Sequence, residues 1–110
     1  MNALPAKQPP YLSEVVDRIV RKFHPVKIIL FGSWARGSAR EDSDLDLLVV
    51  LSKTEHARKS AIQIGNSLSN LPISKDIIVA TPEEIEKYGK TVGNILLPAL
   101  TEGKVIYESR

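Results

Sequence analysis

Apolar residues recur at three- and four-residue intervals from Leu12 through Val15, Val16, Ile19 and Val20 to Phe23. That spacing predicts the apolar stripe of an amphipathic helix. Ser13 is its expected N-cap, with Glu14 and Asp17 near the positive helix end. His24-Pro25 stops it, because a residue before proline avoids helical angles. The period then changes. Val26–Phe31 (VKIILF) is a continuous, β-branched run and predicts a buried strand. A polar loop over 32–43 follows, with a brief helical turn at 34–36, and Leu45–Leu51 predicts a second strand.

Ala57, Ala61, Ile64 and Leu68 mark a helical stripe over 54–69, which Gly65 weakens by about 1 kcal/mol relative to alanine. Asn70-Leu71-Pro72 turns the chain. Ile73–Ala80 (ISKDIIVA) predicts a third strand with Asp76 in its middle. Thr81-Pro82-Glu83-Glu84 combines an N-cap threonine, proline at the first helical position and glutamate three residues after the cap. It predicts a helix to Tyr88 and a separate one over 92–101, kinked or ended by Pro98. Gly103 is expected to close that helix in a left-handed conformation, before an edge strand over Lys104–Glu108. Strands separated by helices give an α/β (α+β) class: a mixed β-sheet of about four strands flanked by helices. Residues 1–10, with three prolines and no period, are expected to be a flexible N-terminal segment ahead of one domain over 11–110.

Composition narrows the function. A chain of 110 residues suits one domain, and 43% hydrophobic with 25% charged residues is ordinary for a globular protein. Without cysteine there is no disulfide, thiolate metal site or catalytic thiol. That absence, with no signal-like start and no apolar run of membrane-spanning length, leads us to expect a cytoplasmic protein with no membrane partner. The net charge of +2 is scattered, and only 5% of residues are aromatic, so nucleic acid is not expected as the main partner.

The chemistry concentrates in Phe31–Val50, FGSWARGSAREDSDLDLLVV. Strand side chains alternate, so Asp44 and Asp46 are expected on one face. Two carboxylates so fixed repel each other, and a hard divalent cation, Mg²⁺ or Mn²⁺, is the usual reason to keep them. If the strand carrying Asp76 lies beside theirs, three carboxylates converge. Such a set with two metal ions is the standard apparatus for in-line displacement at phosphorus. Asp44 and Asp46 would hold both ions; Asp76 would complete the nucleophile-side one and help take the nucleophile's proton. Gly32 lets backbone approach phosphate, Ser33 offers a hydroxyl or amide, and Arg36 and Arg40 could neutralise phosphate charge.

Plainer readings stand beside these. Asp76 could be a solvated strand-end residue or pair with Lys75, Lys27 or an arginine. Arg36 could brace the loop against Glu41 or Asp42, themselves expected to be solvated. Trp34 is expected to pack the loop, Ser38 and Ser43 to form turns, and His24 and His56 to be surface or capping residues.

Gly32-Ser33, ten intervening residues, Asp44-Leu45-Asp46 and a later strand Asp76 resemble the signature of nucleotidyltransferases related to DNA polymerase β. The Gly-Ser-x-Ala-Arg-Gly opening from Gly32 to Gly37 is most similar to the minimal nucleotidyltransferase domains of prokaryotes, and the Glu102–Tyr107 ending fits that group. The resemblance covers about Val26–Ala80. It implies the nucleotidyltransferase fold, ATP as substrate, Mg²⁺ as cofactor, Gly32 and Ser33 as nucleotide-binding, and Asp44, Asp46 and Asp76 as catalytic metal ligands. It further implies an antitoxin that transfers AMP to a tyrosine of a HEPN-domain toxin. Larger relatives carry an acceptor-gripping domain; the thirty or so residues after Asp76 are too few for one, so a second copy or a partner is expected to complete the site. Two alternatives stay open: an antitoxin that neutralises by binding alone, through apolar material such as Ile95–Leu100, and transfer to a small molecule or RNA.

Overall fold

The computed structural model describes residues 8–109. Helix α1 (Leu12–Phe23) leads into β1 (Lys27–Phe31), followed by the short α2 (Gly32–Arg36) and β2 (Leu45–Val50). Then come α3 (Ala57–Ser67), β3 (Lys75–Ala80), α4 (Pro82–Tyr88), α5 (Leu96–Glu102) and β4 (Lys104–Glu108). The strands form one mixed sheet in the order β3-β2-β1-β4. β1 runs antiparallel to both β2 and β4, whereas β2 and β3 are parallel. The parallel pair needs a crossover, which α3 supplies. β4 lies at an edge, as its position in the sequence suggests.

Alternation along the strands divides the apolar residues between two faces. Ile28, Leu30, Leu45, Leu47 and Val49 pack with Val15 and Ile19 of α1 and Ile64 of α3. Ile29, Phe31, Leu48 and Val50 pack on the other face with Leu96 and Ala99 of α5. Leu47, Leu48 and Val49 are wholly excluded from solvent, so β2 is anchored from both sides. Burying each such side chain contributes about 1.5–3 kcal/mol. That anchoring makes β2 a rigid support for Asp46, the one polar side chain in its α5-facing row.

Local chemistry accounts for several boundaries, and corrects others. Thr81 and Glu84 form the expected reciprocal capping box at α4. Ser13 is not the cap of α1; the cap falls two residues earlier, at Tyr11 in a left-handed conformation (φ 62°), with no side-chain cap hydrogen bond. Pro98 neither kinks nor ends α5 but sits in its first turn, where its missing N–H costs no helical bond. The helix begins late because 91–95 are a series of turns through Gly93 (φ 91°), closed by Asn94 Oδ1 accepting from Leu96 N at 2.9 Å. Gly103 is extended (φ −72°, ψ 159°), not left-handed. What requires glycine is crowding: a Cβ there would lie 2.1 Å from Ala99 O and 2.4 Å from Ile29 Cγ2.

The Ile95–Leu100 segment is not an exposed apolar strip. Leu96 and Ala99 are core residues, and only Ile95 is half exposed. The expected flexible lead-in falls, for residues 1–7, outside the described residues. Pro9 is buried, and with Pro10 it lines a cleft of about 260 Å³ against Trp34 and Pro72. Among the described residues no helix is long and apolar enough to cross a membrane.

Candidate active site

The site forms where β1 ends and β2 and β3 begin. Phe31, the last residue of β1, pairs with Asp46, and Asp46 pairs in parallel register with Asp76. Gly32 then turns the chain into α2 at φ 73°, a conformation that favours glycine. Space requires glycine as well: a Cβ on residue 32 would stand 2.1 Å from Asp46 Oδ2 and 3.0 Å from its Cγ. The backbone of the Gly32-Ser33 turn therefore lies directly against the Asp46 carboxylate.

The loop that returns the chain to β2 is held by its own polar groups. Gly37 (φ 80°) ends α2, and Ser38 N donates to Ser33 O at 3.0 Å. Arg40 N donates to Ser43 Oγ at 2.7 Å, and Ser43 N to Arg40 O at 3.0 Å. Buried Trp34 donates its Nε1–H to Ser43 O at 3.3 Å, so it packs the loop as expected and fixes the residue before Asp44. Leu45 N donates to Ser74 O at 2.8 Å, which ties the start of β2 to the approach to β3.

The resulting cleft, of about 390 Å³, has Gly32, Ser33, Arg36, Asp44 and Asp46 along one wall and Ile95, Pro98 and Glu102 of the α5 region along the other. Asp76 and Arg40 are not among its lining residues. Asp76 is the second residue of β3 and exposed, not mid-strand, because β3 starts at Lys75. It still shares a sheet face with Asp46, as register partners on parallel strands must. Arg40 is exposed on the loop. Arg36 braces neither Glu41 nor Asp42: its Nη1 lies 3.5 Å from Glu102 Oε2, linking α2 to α5.

The electrostatics match this crowding of like charge. The Asp46 pKa is raised above the ordinary 3.8, first by burial, then by the charges of Asp76 and Asp44, with Arg36 opposing. Among the described residues no ion pair reaches Asp44, Asp46 or Asp76. Nor do the described residues include a ready-made cluster of three or more His, Cys, Asp or Glu ligands. The donor set nevertheless suits a divalent cation: hard oxygens, like charges without cationic partners, and a half-buried carboxylate whose charged form costs free energy.

The sequence pointed to neither Ile95, Pro98 nor Glu102 as part of the site. Pro98 reads as a helix breaker and Glu102 as the start of the closing Glu102–Tyr107 segment. Only the packing of α5 on β1 brings them to the cleft.

A mixed sheet whose adjacent strand ends carry carboxylates beneath a Gly-Ser turn fits the nucleotidyltransferase class that the sequence resembles. The chain belongs to the nucleotidyltransferase domain family, whose model matches residues 12–98. It is 34% identical over 104 residues to "Putative protein adenylyltransferase MJ1305" of Methanocaldococcus jannaschii, covering 88% of this chain and 69% of that protein. Two solved structures share the fold. One, a toxin-antitoxin with AMP-PNP, aligns over 90% of this chain and 75% of its own, with a TM-score of 0.62 and 19% identity. The other, a mutant of the toxin-antitoxin MntA-HpeT, aligns over 89% and 73%, with a TM-score of 0.59 and 17% identity. The protein is a nucleotidyltransferase enzyme.

Proposed function

We propose that this enzyme transfers AMP from ATP to a hydroxyl of a partner protein, a tyrosine of a HEPN-domain toxin, and so acts as that toxin's antitoxin. The observation that carries this reading is the placement of Asp46. It lies against the Gly32 backbone, beside Asp44 and in register with Asp76. The likeness to a protein named as an adenylyltransferase supports protein as the acceptor class. The toxin-antitoxin neighbours support a toxin partner, and the AMP-PNP in one of them supports an adenine nucleotide as donor.

In this reading Gly32 offers close backbone approach to the triphosphate and Ser33 a hydrogen bond to its β/γ oxygens. Asp44 and Asp46 would hold two Mg²⁺ ions, or Mn²⁺, and Asp76 would complete the ligands on the nucleophile side. Bound there, the cations would neutralise phosphate charge and lower the pKa of the attacking hydroxyl. The acceptor oxygen forms a bond to the α-phosphorus as the α–β bridging P–O bond breaks and pyrophosphate leaves. The hydroxyl proton passes to Asp76, whose exposed position lets it release that proton to solvent. Arg36 faces phosphate from the cleft wall, and Arg40 contributes positive charge from the exposed loop outside the cleft lining. The compartment is that of the toxin, the cytoplasm.

Incubation with Mg²⁺, labelled ATP and the protein encoded beside this one tests the proposal. Label on that protein, lost with Asp44→Ala or Asp46→Ala while the fold persists, is the expected result. A stable complex that neutralises the partner equally well with either variant would show instead that binding alone suffices.

A further inference from the structure

Arg36 lines the same cleft wall as Asp44 and Asp46, and its charge is felt at Asp46. An arginine beside carboxylates without cationic partners would be expected to fork onto them. It does not. Its Nη1 is instead 3.5 Å from Glu102 Oε2, on the opposite wall, with both side chains nearly half exposed. Glu102 sits on the last turn of α5, and Gly103 after it packs closely against Ala99 and Ile29. The backbone that carries the carboxylate is thus held close to β1.

We infer that Glu102 is a positioning residue, which holds the Arg36 guanidinium off the carboxylates of Asp44 and Asp46 and thereby keeps those oxygens available to the cation. The inference rests on the reading of Asp44 and Asp46 as cation ligands. It explains a third carboxylate in a cleft meant for a polyanion. Glu102 occupies one of five guanidinium donors, so the others can still meet phosphate. A half-exposed pair of this length is weak, and an incoming triphosphate can displace it at small cost.

The test is Mn²⁺ binding followed by the EPR signal of the free ion, with wild type, Glu102→Gln, Arg36→Gln, the double variant and Asp46→Asn, each checked for folding by circular dichroism. Glu102→Gln frees Arg36 to turn onto the aspartates and should weaken Mn²⁺ binding by about two- to fivefold. In the double variant the competitor is gone, so binding should return to the wild-type level or better. Wild-type affinity in Glu102→Gln, or an equal loss persisting in the double variant, would overturn the positioning role. A different failure marks the underlying site reading: Asp46→Asn binding Mn²⁺ as well as wild type would remove both.

Discussion

Asp46 and Asp76 are register partners on the parallel strands β2 and β3, with side chains on one face of the sheet. Folding thus sets two like charges side by side, and the Asp46 pKa rises, first through its burial and then through the charge of Asp76. An arrangement that costs stability in the empty protein is intelligible as a site poised for something positive.

That cost has a pH signature. Folding lifts the Asp46 pKa above its ordinary 3.8, so the folded state holds this proton more readily than the unfolded one. Stability conferred by that proton is complete at low pH and is lost as pH climbs from 3.8 through the raised folded value. Asp46→Asn removes the titration. Thermal melts without divalent cations should therefore show the variant gaining on wild type as pH rises, with the gap constant above the window. A gap that shrinks with rising pH would mean Asp46 is stabilised by a partner instead.

Divalent cation with nucleotide should reverse the ranking. At a hundredfold excess over its dissociation constant a ligand stabilises the folded state by about 2.7 kcal/mol. For a domain of this size that corresponds to roughly 10–20 °C in Tm. Mg²⁺ with a non-hydrolysable ATP analogue should raise the wild-type Tm on this scale and leave Asp46→Asn nearly unmoved.

Gly32→Ala separates folding from chemistry. A non-glycine residue at φ 73° costs about 1–2 kcal/mol, so the protein should still fold with Tm lowered by roughly 5–15 °C. The added Cβ, 2.1 Å from Asp46 Oδ2, must push the carboxylate aside. Misplacing a reacting group by about 1 Å can cost a hundredfold, and a loss of that order in transfer rate at a temperature where the variant is folded is the expected result. Wild-type kinetics in the folded variant would show that the Gly32–Asp46 contact does not matter to the reaction.

Gly103 makes a structural counterpart. Its backbone is ordinary, so any side chain there is opposed by crowding against Ala99 O and Ile29 Cγ2 and not by φ. Gly103→Ala should cost about 1–3 kcal/mol in a denaturant titration. Gly103→Asn should fare no better, although asparagine tolerates left-handed angles well. An asparagine variant as stable as wild type would restore the left-handed reading.

What the chain disclosed in advance follows from how local each signal is. The stripe of α1, the β-branched runs of β1 and β2 and the Thr81–Glu84 box depend on neighbours a few residues apart, and they appear where the sequence places them. The Gly32-Ser33 turn and Asp44–Asp46 were legible for the same reason. The positions of Pro98 and Gly103 were misread because their roles are set by α5 packing on β1, a contact between segments some seventy residues apart in sequence. The same packing sets Ile95 and Glu102 in the cleft wall. The Ile95–Leu100 run and the Glu102–Tyr107 ending stand out along the chain, but neither carries a sign of the wall it will face.

The most direct test of the central claim is which phosphorus of ATP reaches the acceptor. The enzyme, Mg²⁺ and the adjacent-encoded protein are incubated with ATP labelled at either the α or the γ position, and the proteins are separated and counted. The account predicts that α-label appears on the partner's tyrosine, that γ-label is released as pyrophosphate, and that Asp46→Ala abolishes the transfer. Label arriving from the γ position, or none from either with an intact complex, would contradict it.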